Sequence, residues 1–150
     1  MSTATKTLGI VGAGSVGSTV AFASIIKGVA RRVVLYDLNG KKAEAQALDL
    51  AHGLQFAHES SIEGSDDPAI LKNADVIVIA AGAKLKLGRT RLDLAAANVA
   101  MLKSLVPKLV ELSPNAVFVM VSNPVDVLTW AMLKLSGLPR TRVIGTGTML

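Results

Sequence analysis

Short apolar runs alternate along the chain with longer stretches whose apolar positions recur at helical spacing. Residues 7–11, 32–36, 76–79 and 117–121 are short, rich in Val and Ile, and bounded by polar or turn-forming residues, which predicts buried strands. Weaker runs at 61–63 and 142–144 predict two more strands. Between them, 15–26, 41–54, 91–112 and 125–135 read as helices, with a brief helical connection at 69–73 behind Asp67-Pro68. Within 41–54, Ala43, Ala47, Leu50 and Leu54 share one helical face. Gly28 is placed to stop the first helix. Pro107 is expected to bend or divide the longest one, because it lacks an N–H and its ring crowds the preceding turn. Regular alternation of this kind predicts an α/β protein with a doubly wound, six-stranded parallel sheet, helices on both faces, and a ligand crevice at the strand carboxyl ends. No linker interrupts the pattern, so 1–150 reads as one domain.

Gly12-Ala13-Gly14-Ser15-Val16-Gly17 fills the turn between the first strand and the first helix, and Asp37 follows 20 residues after its last glycine. A lone G-x-G-x-x-G is weak evidence, but strand, glycines, helix, second strand and terminal acid together form the dinucleotide-binding fingerprint of the Rossmann fold. Gly12 permits the tight turn, Gly14 lets a pyrophosphate approach the backbone, and Gly17 lets the helix pack closely on the strand. The helix N-terminus then offers free N–H groups and a positive dipole end to the phosphates. At the end of the second strand, the Asp37 carboxylate can accept both ribose hydroxyls and would repel a 2′-phosphate. NAD is therefore favoured over NADP.

Composition narrows the partners. A net charge of +5 raises the possibility of nucleic acid, yet aromatics make up only 3% and no long Lys/Arg run exists. The densest basic cluster, Lys84, Lys86, Arg89 and Arg91, lies in a loop better suited to a small anion. A mean hydropathy of +0.49 is high for an isolated domain and points to surface buried against another domain or subunit. Without cysteine there is no disulfide, thiolate nucleophile or Cys-ligated metal, and no metal site is expected. Residues 1–6 are polar, and no apolar run is long enough to span a bilayer. A cytoplasmic protein with neither membrane nor nucleic-acid partners is expected.

The loop Ala81-Gly82-Ala83-Lys84-Leu85-Lys86-Leu87-Gly88-Arg89-Thr90-Arg91-Leu92-Asp93-Leu94 is a second, independent signal. Ser122-Asn123-Pro124-Val125-Asp126, Gly145-Thr146-Gly147-Thr148 and Leu48-Asp49-Leu50-Ala51-His52-Gly53 add to it. With these motifs the sequence resembles the L-lactate/malate dehydrogenase family, and its spacing leans toward the lactate branch. The resemblance implies NAD as cofactor, with Val16, Asp37 and Lys42 along the adenosine side. Gly82, Ala83 and Val121-Ser122-Asn123 would follow the nicotinamide side, with Ser104 and Thr146 nearby. Leu85, Arg91, Asn123 and Asp126 would face the substrate, Asn123 through a hydrogen bond to its oxygen. Arg91 would swing in on a closing loop, polarise the 2-oxo group and stabilise alkoxide charge as hydride arrives. The peptide before Pro124 would be cis, and helix 41–54 would meet a second subunit in a homo-oligomer.

Two departures from the family pattern matter. Leu85 stands where the family usually has Gln or Arg, and leucine cannot pair with a second carboxylate, so malate is disfavoured and a bulkier aliphatic 2-oxo acid is open. Leu87 and Arg89 differ from the usual residues in the same loop. The sequence ends at Thr148-Met149-Leu150, and no residue in it corresponds to the family's catalytic His or carboxylate-binding Arg. His52 and His58 read as helix-surface and connection residues. The expectation is thus an NAD(H)-binding half of a lactate-dehydrogenase-like oxidoreductase, lacking the substrate domain and turning over little or nothing alone. A malate or aliphatic 2-oxo-acid enzyme and an oligomerising module without activity are the alternatives.

Overall fold

The computed structural model describes residues 6–83, 88 and 90–146. In chain order it contains β1 (Thr7–Val11), α1 (Ser15–Lys27), β2 (Arg32–Tyr36), α2 (Gly40–His52), β3 (Ser61–Ser65), β4 (Val76–Ile79), α3 (Arg91–Leu112), β5 (Val117–Met120), α4 (Val125–Ser136) and β6 (Val143–Gly145). The strands form one six-stranded sheet in the order β3-β2-β1-β4-β5-β6. Every pairing is parallel, with Ile10 of β1 beside Leu35 of β2 on one side and Val78 of β4 on the other. The chain runs outward from β1 to β3 and then returns across β1 to β4. That reversal opens a crevice beyond the carboxyl ends of β1 and β4.

Successive strand residues serve opposite faces, and both faces are covered. On one, Ile10, Val33, Leu35 and Ile62 pack with Ala21 and Ile25 of α1 and Ala47 of α2. On the other, Val34, Ile77, Ile79, Phe118 and Met120 pack with Leu102, Val106 and Leu109 of α3 and with Leu128 and Met132 of α4. Two-sided burial explains why the strands read as continuous apolar runs rather than alternating ones.

Several boundaries differ from the sequence-based expectation. The second helix ends at His52 instead of 54; Gly53 follows, and Leu54–Phe56 forms a separate 3-10 turn. Leu54 still packs on the core, which is why its helical phase is misleading. β3 extends to Ser65, two residues beyond the weak apolar signal, because backbone pairing with β2 continues to Tyr36. The short connection is a 3-10 turn at Pro68–Leu71, started by the Asp67 side chain accepting from the Ala69 N–H. β5 stops one residue earlier than expected, and β6 begins one later.

Pro107 does not divide α3, which runs unbroken from Arg91 to Leu112. Pro107 and Lys103 both lie on the exposed side of the helix, so the carbonyl deprived of its donor faces solvent, while Leu102, Val106 and Leu109 hold the opposite face in the core. Gly28 does end α1, in a left-handed conformation with φ 61°.

Candidate functional site

A cleft of about 840 Å³ opens at the carboxyl ends of β1, β4 and β5. Its floor is the turn leaving β1. Gly12 there has φ 104°, and a Cβ would lie 2.7 Å from the Ala81 backbone nitrogen. Glycine is therefore required twice over, by conformation and by contact. A Cβ on Gly17 would overlap the Gly12 carbonyl oxygen, so α1 rests directly on the turn. At Gly14 the situation is reversed. The nearest atom to a Cβ there would be the Lys42 Nζ at 3.9 Å, which leaves the backbone open. No side chain caps α1 at Gly14, and its first turn carries no acid. The N-terminal amides of α1 are thus left for a ligand, and the helix dipole selects an anionic one.

Asp37 sits at one end of the cleft. Its Oδ2 accepts the Ala13 N–H at 2.8 Å and its Oδ1 accepts the Asn39 N–H at 3.0 Å. Each oxygen keeps a further lone pair for an outside donor. The two bonds fix the carboxylate against the glycine turn, and the Gly12 N–H donates to the Tyr36 carbonyl at 2.7 Å beneath it. Burial, followed by the charges of Asp37, Asp66 and Asp67, raises the Tyr36 phenol above its usual pKa. Asn39 caps α2 by accepting the Lys42 N–H at 3.1 Å, which places Lys42 in the first turn beside the cleft. Leu38, 86% exposed, offers an apolar wall next to Asp37.

At the other end, Gly82 and Ala83 follow β4, and Ser122 and Asn123 follow β5. Side chains join these segments. The Ser122 hydroxyl lies within hydrogen-bonding distance of the Ile79 carbonyl at 3.2 Å and the Ala81 carbonyl at 2.5 Å. Asn98, on α3 and 1% exposed, accepts the Ala83 N–H at 2.7 Å and donates to the Asn123 carbonyl at 2.9 Å. The Asn123-Pro124 peptide is cis.

Of the residues singled out from sequence, Gly12, Gly14, Val16, Asp37, Lys42, Gly82, Ala83, Ser104, Val121, Ser122 and Asn123 all line this one cleft. Gly17 lies beneath it as a packing residue. Arg91 and Asp126 are exposed in the first turns of α3 and α4 and do not line it. Nor does Thr146, whose hydroxyl donates to the Met120 carbonyl at 3.2 Å beyond β5. Leu85 lies outside the described residues, as do its neighbours Lys84, Lys86, Leu87 and Arg89. Sequence reasoning passed over Leu38, Asn98, Met101, Leu105 and Lys108, which line the cleft too. For Asn98 a signal existed: a polar residue in helical phase with buried Leu102, Val106 and Leu109. Among the described residues, no cluster of three or more His, Asp or Glu side chains could hold a metal ion, and no helix is long and apolar enough to cross a membrane.

Comparison with known proteins agrees with this geometry. The sequence model of the lactate/malate dehydrogenase NAD-binding domain matches residues 6–145. An L-lactate dehydrogenase of Bifidobacterium animalis subsp. lactis is 49% identical over 143 residues, covering 95% of this chain and 45% of the relative. One from Kosmotoga olearia is 52% identical over 141 residues, covering 94% and 44%. Among solved structures, the minor L-lactate dehydrogenase of Enterococcus mundtii in its ligand-bound form superposes with a TM-score of 0.91 at 39% identity, over 96% of this chain and 46% of that one. A lactate dehydrogenase from a Medee basin deep-sea metagenome library gives 0.90, also at 39% identity, over the same shares. The chain spans about half the length of the relatives it matches.

Proposed function

Because the chain belongs to the lactate/malate dehydrogenase family through that family's NAD-binding domain, we propose that it is the cofactor-holding part of an L-lactate-dehydrogenase-like enzyme acting on a 2-oxo/2-hydroxy acid pair. NAD is the cofactor of this domain. When bound, NADH supplies the hydride for a carbonyl carbon. The chain's own residues bind and orient it. The open backbone at Gly14 and the uncapped α1 N-terminus receive the pyrophosphate. The fixed Asp37 carboxylate takes the ribose hydroxyls and sets its charge against a 2′-phosphate. Carbonyls and amides at 82–83 and 121–123 border the nicotinamide.

On the substrate side, the family resemblance assigns Asn123 to the substrate oxygen and Arg91 to polarising it, with Asp126 and Leu85 nearby. A neutral, apolar Leu85 fits pyruvate or a larger aliphatic 2-oxo acid better than a dicarboxylate. Neither His52 nor His58 lines the cleft, so no imidazole within it can deliver a proton to the alkoxide. A positioned general acid is typically worth about 10²–10⁴-fold, and the chain alone is expected to bind cofactor with little or no turnover. Self-association through α2, where Leu48 is 61% exposed, belongs to the same reading.

The single observation that carries it is the Asp37 carboxylate locked against the glycine turn at 2.8 Å, with an uncapped helix N-terminus beside it. Calorimetric titration with NADH and, in parallel, NADPH tests it. Saturable NADH binding with much weaker NADPH binding is expected; equal affinities, or none by a folded protein, would overturn the proposal.

A further inference from the structure

Among the described residues, Asn98 is the one side chain that ties the segment after β4 to the turn after β5 from a third element, and it is 1% exposed. The link is selective for its chemistry. The Oδ1 accepts from Ala83, 15 residues back, while the Nδ2 donates to Asn123, 25 residues on. An aspartate in its place would keep the acceptor, lose the donor and set a charge against the Asn123 carbonyl. A serine would be too short to bridge both. The packing around the amide is equally close, since a Cβ on Gly82 would lie 3.3 Å from both its oxygen and its nitrogen. Among the described residues, no side chain of α3 is hydrogen-bonded at the other end of the cleft. There, Asp37 and the glycine turn are joined by backbone amides from 12–13 and 39, with no bond to α3.

We propose that Asn98 is a positioning residue for the nicotinamide end alone: its amide sets the spacing between Ala83 and Asn123, and with it the slot for the nicotinamide ring and the aim of the Asn123 side chain. This rests on the reading that the cleft holds NAD(H). It separates the two ends of the cofactor energetically. A change at residue 98 alters recognition of the nicotinamide ring and leaves recognition of the adenosine diphosphate part intact.

The test compares NADH with ADP-ribose, which has both phosphates and both riboses but no nicotinamide. Both are titrated into the wild-type chain, N98D and N98S, and the emission of bound NADH is recorded as a direct probe of the ring's surroundings. The expected result is a loss of NADH affinity of about tenfold, the scale of one buried hydrogen bond, with altered NADH emission and unchanged ADP-ribose affinity. Retained ADP-ribose binding doubles as proof that the variant is folded. Parallel losses for both ligands would make Asn98 a general structural residue and overturn the inference, as would no change in either. Failure of both variants to fold would also overturn it, because the side chain would then hold the domain rather than one end of the cleft. A wild-type chain that binds neither ligand would bring down the cofactor reading itself, a result distinguishable from the others.

Discussion

The two ends of the cleft are built by different means. The end proposed for adenosine comes from the turns after β1 and β2, Gly12 to Gly17 and Asp37 to Lys42, and its shape is set mainly by backbone: a left-handed glycine, a helix seated on a carbonyl, and amides pinning a carboxylate. The nicotinamide end gathers residues 82–83, 98 and 121–123 from three elements and holds them with the side chains of Asn98 and Ser122. Backbone construction tolerates almost no substitution, because a clashing backbone atom cannot rotate away. Side-chain construction tolerates change at graded cost, and it can be adjusted one bond at a time. On the proposed reading, the end assigned to the invariant ADP moiety is thus the rigid one, and the end assigned to the substrate side is the adjustable one.

The largest expected effect breaks the rigid end. Gly17→Ala gains helix propensity of about 1 kcal/mol, yet its new Cβ would overlap the Gly12 carbonyl oxygen. Relief requires moving α1 off the turn, at a cost of about 3 kcal/mol or more, the upper range for overpacking. The net sign is destabilising. Thermal unfolding followed by circular dichroism should show a clear drop in Tm together with lost NADH binding. Gly82→Ala provides the contrast, since the nearest atoms to its Cβ would be those of the Asn98 side-chain amide at 3.3 Å. If Gly17→Ala melts no lower than Gly82→Ala, the division into a backbone-built and a side-chain-built end is wrong.

A second test sharpens the comparison at the adenosine end without unfolding it. Asp37→Asn keeps an acceptor for the Ala13 or Asn39 amide and removes the charge. Hydrogen bonds to a charged group are worth about 1.5–3 kcal/mol, so NADH affinity should fall about tenfold to a hundredfold. NADPH should lose less, because the carboxylate that repels its phosphate is gone. A selectivity for NADH unchanged in Asp37→Asn would show that discrimination lies elsewhere.

The same contrast decides what was legible in the sequence. The glycine turn and Asp37 could be read because a recurrent spacing within one β-α-β unit carries their geometry. Strands β1, β2 and β4 were readable to the residue, since burial on both faces makes their apolar runs continuous. The nicotinamide end became visible only through resemblance to a family, and even then Asn98 went unnoticed: nothing local says that a helical asparagine will meet Ala83 and Asn123. Pro107 misled for a related reason. Its intrinsic cost is local, but whether it divides the helix depends on Leu102, Val106 and Leu109 being held by the sheet while Lys103 faces solvent. Residue 54 was placed in α2 by its phase, although the turn at Gly53 had already ended that helix.

The smallest expected effect lies at the entrance to α3, where Arg91 begins the helix under a capping box. The Asp93 carboxylate accepts the Thr90 N–H at 2.9 Å and the Thr90 hydroxyl at 2.8 Å, while the Asp93 N–H donates to Thr90 Oγ1 at 3.1 Å. The Thr90 amide, and after it the Thr90 hydroxyl, hold the Asp93 carboxyl below its usual 3.8. A pKa depressed by folding means that the ionised form stabilises the folded turn. That contribution is complete above the ordinary carboxylate pKa and disappears as pH falls below 3.8 through the folded value. Asp93 is fully exposed, so solvent screens the effect and it stays local, at the first turn of α3. Amide exchange in that turn should therefore be better protected in wild type than in D93N at neutral pH, with the gap closing as pH drops below the ordinary carboxylate range. NADH affinity should not follow the gap, because the loosened turn at Thr90–Asp93 does not line the cleft. A protection gap that is constant with pH would mean that the capping box is held by Thr90 alone and owes nothing to the Asp93 charge.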